Sequence, residues 1–314
     1  MRNVYSVLAI ILFMCMLFIP LLALSPLEKP QKPTPNSSYS TAESEDVFRV
    51  KCGEEIKTLS AVDYVCGVVS AEMPALYETE ALKAQAVAAY TYAARKRAAA
   101  GESEYDITTD HTQDQSYIDE AAQREKWGEK YEEYSKKIKA AVTAVKGRLL
   151  TYEGEPCLSV YHAISAGRTE KAEAVWGKDY PYLQSQESIM DLLSPDYKTE
   201  KTVTADELKN AFLEDTEPEG EPKDWLSDLQ KSECGTVKEI TLCGKKITGT
   251  AFRERLSLRS QNFDIVYSDG AFKITVRGYG HGVGMSQYGA NCMAEQGATY
   301  KEILSAYYKG ATLK

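Results

Sequence analysis

The chain has 314 residues, of which 43% are hydrophobic and 21 are tyrosine, and its formal net charge is −9. At ~150 residues per domain, that length leaves room for one large or two modest domains behind the N-terminus. The acidic balance excludes an electrostatic case for nucleic acid and does not favour an anionic membrane surface.

Residues Val7 to Leu24 are apolar or small and carry no charge, close to the ~20 residues that a membrane-spanning helix needs. Arg2 precedes them, so the positive-inside rule predicts a cytoplasmic N-terminus with the remainder outside. A cleaved signal peptide is the rival, with an apolar region of usually ~7–15 residues. Ala23-Leu24-Ser25 offers it a cleavage site, with Pro26 directly after. The length favours an uncleaved anchor over residues 1–25. Residues 26–46 hold four prolines and several Ser and Thr, the composition of a tether.

Val47 to Val50 reads as a strand and opens a folded domain over 47–314. Ser60 with Asp63 forms a capping box. Behind it Val65, Val68, Val69 and Met73 fall at i, i+3, i+4 and i+8, an apolar stripe at helical spacing. Glu72 takes the i+7 place. A carboxylate on that face is costly to bury in its charged form. Desolvation would raise its pKa and let it keep a proton, as a general acid must. A helix-end glutamate whose carboxylate reaches water would occupy the same place. Pro74 disfavours helix at Met73 and ends the segment. Thr79 is the expected N-cap of a second helix, with Leu82, Ala86, Ala89 and Ala93 as a small-residue face bordered by Gln85.

Tyr105 to Tyr117 is polar and loop-like. Tyr131, Tyr134, Ile138, Val142 and Val145 mark an amphipathic helix with Gly147 as its C-cap. Leu149 to Tyr152 and Cys157 to Ile164 read as a hairpin around Glu153-Gly154-Glu155. In its second strand Leu158, Val160, His162 and Ile164 share one face, so Cys157 and His162 point apart. Thr204 to Glu207 is a second capping box, and 214–222 is an acidic exposed loop. Phe263 to Tyr267 and Phe272 to Arg277 form a hairpin around Ser268-Asp269-Gly270. Gly278, Gly280, Gly282 and Gly284 alternate, which matches neither dinucleotide nor P-loop spacing. Such glycines serve a loop that presents His281 and its amides to a ligand, or a plain hairpin-to-helix corner. A helix over Met285 to Gln296 and another opened by Thr299 to Glu302 close the chain.

The mixture of helices and hairpins without βαβ alternation predicts an α+β fold. A helical pair carrying Glu72 would pack with β-hairpins, in one body or in two subdomains around a groove. Six cysteines lie beyond the anchor: Cys52, Cys66, Cys157, Cys234, Cys243 and Cys292. Their even number permits disulfides, with Cys234 and Cys243 as staples of a hairpin, but buried free thiols are the preferred reading. His111, His162 and His281 show no metal-ligand spacing.

Ser70-Ala71-Glu72-Met73-Pro74 followed by Glu80 to Ala89 resembles the stage II sporulation protein D family. Those are membrane-anchored peptidoglycan lytic transglycosylases related to amidase enhancers. Three further stretches agree in order: Gln115-Ser116-Tyr117; Tyr161-His162-Ala163 through Ser165 to Glu170 and on to Val175-Trp176-Gly177; and Gly280 to Ala290. The resemblance implies that Glu72 is the catalytic acid and base. It implies a substrate groove at Gln85, Tyr90, Gln115, Tyr117, His162, Ser165, Gly167, Arg168, Thr169, His281, Ser286, Gln287 and Tyr288. Tyr90 stands where family members often carry Arg, so Tyr90, Arg95 or Arg97 would have to serve in its place. Some relatives bind zinc through cysteines and histidines after the second helix. This chain has His111 there and no cysteine, so neither a metal nor a cofactor is expected.

The implied activity is cleavage of the MurNAc–GlcNAc bond of denuded glycan strands to 1,6-anhydro products during sporulation engulfment. The alternative is a non-catalytic glycan binder that activates an amidase. Implied partners are peptidoglycan glycan strands, a cell-wall amidase and a membrane protein of the engulfment complex. The implied location is the intermembrane space of the sporulating cell.

Overall fold

A computed structural model describes residues 46–213 and 218–314. The expected anchor, and the tether up to its last residue, lie outside them. Among the described residues no helix is long and apolar enough to cross a membrane.

Folded chain starts with an antiparallel hairpin, β1 (Val47–Cys52) and β2 (Glu55–Ser60), paired from Val47↔Ser60 to Cys52↔Glu55. Asp46, at the end of the expected tether, accepts from Arg97 and Tyr90. Helix α1 (Ala61–Glu72) follows at once. Its N-cap Ser60 accepts from the Asp63 amide at 3.1 Å, while the Asp63 carboxylate accepts from the Ser60 hydroxyl. Helix α2 (Thr79–Ala99) begins one residue earlier than expected. Glu78 is the N-cap and makes no side-chain cap bond; its amide donates instead to Asn291 Oδ1 at 2.7 Å. Leu82, Ala86, Ala89 and Ala93 are fully buried, and so are Ala81, Ala84, Val87 and Ala88. A helix covered on nearly every side needs small residues all round, not a single stripe.

Strand β3 (Ile107–Thr108) runs parallel to β1. Helix α3 (Glu120–Trp127) follows and packs on α4 (Tyr131–Ala144), which covers both α1 and α2. Strands β4 (Leu150–Tyr152) and β5 (Glu155–Pro156) form the expected hairpin, but its second strand does not continue to Ile164. After the Cys157 amide bonds Leu150 O, the next backbone groups turn to tyrosine hydroxyls. Leu158 N–H donates to Tyr182 and Val160 O accepts from Tyr308. Only β6 (Tyr161–His162) is strand, followed by the short helix α5 (Ala172–Trp176).

A second lobe follows. It holds β7 (Lys198–Val203), α6 (Ala205–Phe212), β8 (Leu226–Lys231), β9 (Val237–Leu242), β10 (Lys245–Thr248), α7 (Gly249–Arg255), β11 (Phe263–Ser268) and β12 (Ala271–Arg277). It contains two antiparallel sheets, ordered β10-β9-β8 and β11-β12-β7. Helix α6 carries the expected Thr204–Glu207 capping box. Cys234 and Cys243 flank β9 at opposite ends and both are free thiols. A strand advances ~3.3 Å per residue, so its six residues carry the pair beyond the ~7 Å Cα limit of a disulfide.

The chain then returns to the first lobe through β13 (Met285–Ser286), which pairs in parallel with β6. Helices α8 (Gln287–Glu295) and α9 (Tyr300–Tyr307) and strand β14 (Thr312–Leu313) complete it. Two hydrophobic cores result. One gathers Phe48, Tyr64, Leu82, Ile107, Leu183 and Tyr308; the other gathers Phe212, Phe252, Phe263 and Phe272.

Candidate active site

Glu72 is the last residue of α1, where Met73 turns extended. Its carboxylate is partly buried and borders a cleft of about 380 Å³, within the ~300–1,000 Å³ of ligand-sized clefts. The cleft is also lined by Tyr92, His111 to Gln115, Val160, Tyr161, Trp176 and His281. All of these but His281, which lies in the glycine run between the lobes, belong to the first lobe. Ser116 N–H donates to Glu72 Oε1 at 3.0 Å, and Gln287 Nε2 reaches Oε2 at 3.5 Å. Burial raises the Glu72 pKa above the ordinary carboxylate value, and the Ser116 and Gln287 contacts and His111 oppose it. A helix C-terminus also disfavours a carboxylate. Lys126 blunts that effect, because its ammonium donates to Ser70 O at 2.8 Å, beside Glu72.

Two glutamine side chains stand behind the acid. Gln287 Nε2 lies 3.4 Å from Gln85 Oε1, and Gln85 is fully buried. Tyr161 donates to Gln115 Oε1 at 2.7 Å, and Gln115 Nε2 donates to Tyr64 at 3.1 Å. The second carboxylate of the lining, Asp114, is committed elsewhere. It pairs with Lys96 at 2.6 Å and accepts from Tyr92 and from Thr108 N–H.

The glycine run decides where His281 sits. Gly278, Gly280, Gly282 and Gly284 all have positive φ, at 74°, 109°, 78° and 75°. A Cβ on Gly284 would stand 2.0 Å from Val160 O, and one on Gly280 would stand 2.7 Å from His162 Cβ. The run therefore lies flat along the 160–170 segment. Val283 O faces His162 Nδ1 at 3.1 Å, and Val283 N–H donates to His281 Nδ1 at 3.0 Å. This puts the His162 proton on Nδ1 and leaves the His281 Nδ1 bare. Burial pushes His162 down to about 4. His281 also falls below the usual histidine range, by burial first and then by His162 and Arg253. Both shifts favour the neutral ring.

Other expected site residues lie behind or away from the cleft. Asp191, fully buried, accepts from Ser165 N–H at 2.8 Å and from the Ser286 hydroxyl at 2.9 Å. Ser286 also caps α8 through Gly289 N–H, and so orients Gln287. Thr169 is buried and accepts from Gln186 N–H, and Gly167 packs on Leu192. Arg168 is exposed and donates to Ser185. Tyr288 is partly buried beside Cys292. Tyr117 stacks on Tyr64 at 5.8 Å, against Gly67. Tyr90 donates to Asp46 on another face of α2, Arg97 joins it there, and Arg95 donates to Pro156 O. None of these three lines the cleft. Ser116 and Trp176 stand inside the stretches that carry the resemblance, but only the structure brings them to the cleft and its acid. Asp191 and Lys126 carried no local signal, because only folding brings them to their partners.

The chain is thus an α+β protein with a raised-pKa acid bordering a polar cleft, and comparison with known proteins gives its family. The family model described as Stage II sporulation protein matches residues 51–152, which span β1 to β4 and include Glu72. Stage II sporulation protein D of Bacillus subtilis (strain 168) is 37% identical over 274 residues, 85% of this chain and 78% of that protein. The protein of that name from Bacillus amyloliquefaciens is 36% identical, over 85% of this chain and 77% of its own length. The amidase enhancer of Bacillus subtilis (strain 168) is 28% identical over 79% of this chain and 40% of its own length. The chain belongs to the stage II sporulation protein D family.

Proposed function

We propose that this protein is a lytic transglycosylase of denuded peptidoglycan, with Glu72 as both acid and base. The observation that carries the reading is that, among the described residues, the cleft has a single carboxyl free of an ion pair, since Asp114 is paired with Lys96. Hydrolysis of a glycoside normally sets two carboxylates across the bond. A transglycosylase manages with one. Protonated Glu72 gives its proton to the oxygen between MurNAc and GlcNAc. The carboxylate so formed takes the proton of the MurNAc C6 hydroxyl, whose oxygen attacks C1 and closes the 1,6-anhydro ring. The nucleophile belongs to the substrate, so its positioning costs little entropy. Tethered by Val7 to Leu24, the domain would work outside the cytoplasmic membrane, in the intermembrane space of the sporulating cell. Its partners there would be an amidase that strips stem peptides and a membrane protein of the engulfment complex.

The full chain in detergent, incubated with denuded glycan and read by mass spectrometry, should release 1,6-anhydro products. Glu72→Gln should lower release by at least ~10³-fold, the scale on which a general acid works. Undiminished release would refute the assignment, and a reducing end in place of the anhydro ring would indicate a water-using hydrolase. The likeness to an amidase enhancer favours a second reading, a glycan-binding activator. That reading predicts no product from this chain alone and faster release of peptides by an added amidase.

A further inference from the structure

One wall of the cleft is a tryptophan. Trp176 closes α5, which stops where Gly177 takes a left-handed φ of 69°. Its side chain is 43% exposed, although a large aromatic ring is ordinarily well covered. Behind it the His281 ring lies 5.1 Å away, and His162 backs His281 at 5.8 Å. Both imidazoles are held by the Val283 backbone. The indole is thus in tilted contact with His281, at 56° between ring planes, and exposed beside the cleft that Glu72 borders.

The remaining lining limits what the exposed ring can meet. Among the described residues no Lys or Arg lines the cleft, so a phosphate or a carboxylate would find no ammonium or guanidinium there. Thr112, Gln113, Gln115 and Tyr161 would be stranded against a purely apolar ligand. The ligand that fits has one flat apolar face, a rim of hydroxyls and no charge at the contact. A pyranose ring has that shape, and of the two wall sugars only GlcNAc lacks a carboxylate.

We propose that Trp176, seated on His281, forms a stacking subsite for the uncharged N-acetylglucosamine ring of the glycan. This rests on the glycan reading above. The test uses the full chain in detergent with Glu72→Gln, so that ligand is bound but not cut. Binding of denuded glycan and of a GlcNAc tetramer is followed by calorimetry and by tryptophan emission. Trp176→Ala should weaken both ligands by about tenfold, and Trp176→Phe, which keeps a ring face, should stay within about threefold. The emission change on binding should vanish in Trp176→Phe, a readout that needs no large truncation. Binding of Trp176→Ala equal to its parent overturns the subsite while leaving the glycan reading standing. So does an emission change that persists without Trp176, or a GlcNAc tetramer that fails where denuded glycan binds. If the parent binds no glycan at all, the subsite and the glycan reading fall together.

Discussion

Glu72 holds its place through a conflict between position and environment. It ends a helix, where backbone carbonyls repel a carboxylate, and lies among groups that displace water. Burial is the largest influence and raises its pKa; the Ser116 amide and Gln287 oppose it. The sign for stability follows. A carboxyl whose folded pKa exceeds its unfolded value contributes stability that is complete below the unfolded pKa and lost as pH rises through the folded one. Glu72→Gln does not titrate, so its melting temperature should exceed that of the parent by little near about pH 4 and by more at about pH 8. Asp191 has the same sign but is common to both proteins and cancels. Thermal melts across that range check this, and a constant difference would mean the carboxyl is well hydrated. The rate of glycan cleavage should fall over the same rise in pH, since the protonated acid starts the reaction. Glu72 was legible because one helix period exposes a misplaced carboxylate. Its regulators Ser116, Lys126 and Gln287 were not, because they arrive from distant parts of the chain.

The elements that were legible depend on neighbours in sequence. The boxes at Thr204–Glu207 and Thr299–Glu302 close as their spacing predicts. The hairpin of β11 and β12 forms around Asp269-Gly270, both with positive φ. Thr79 is not the cap and the strand does not run on to Ile164, because Asn291, Tyr182 and Tyr308 supply the decisive hydrogen bonds from afar. The glycine run was readable as special but not as to purpose. Its conformation presses the backbone onto Val160 to Glu170 and hangs His281 at the cleft. Gly284→Ala should therefore lose about 1–2 kcal/mol from its left-handed φ, and more from the clash with Val160 O, to ~3 kcal/mol or beyond. Gly297→Ala, also at positive φ but with open space around it, should lose only the first part. Urea unfolding of the two variants checks this, and equal losses would mean that the close approach relaxes freely.

At the scale of the whole molecule, two cores share one compact body, and only one of them builds the cleft. The second meets the first along the glycine run and through contacts such as Ser232 with Glu170 and Arg259 with Asp196. Phe252 is fully buried, stacked between Phe212 and Phe263. Phe252→Ala should destabilise the second lobe by about 3–5 kcal/mol. Hydrogen exchange should quicken over β7 to β12 and leave the amides of α1 and α2 nearly as protected as before. Equal loss of protection in both lobes would mean that they unfold as one unit. The sequence by itself determined the helix that carries Glu72, its termination at Pro74, the capping boxes, the turn glycines and, through motifs in a given order, the family. These depend on residues a few positions apart, whose geometry covalent structure and helical period already limit. Only the tertiary structure decided that Asp114 is paired with Lys96, that Ser165 and Ser286 meet on Asp191, that Tyr90 stands away from the cleft and that Trp176 faces it. Each of those rests on side chains brought together across long stretches of chain, where burial and hydrogen-bond supply, not spacing, select the partner.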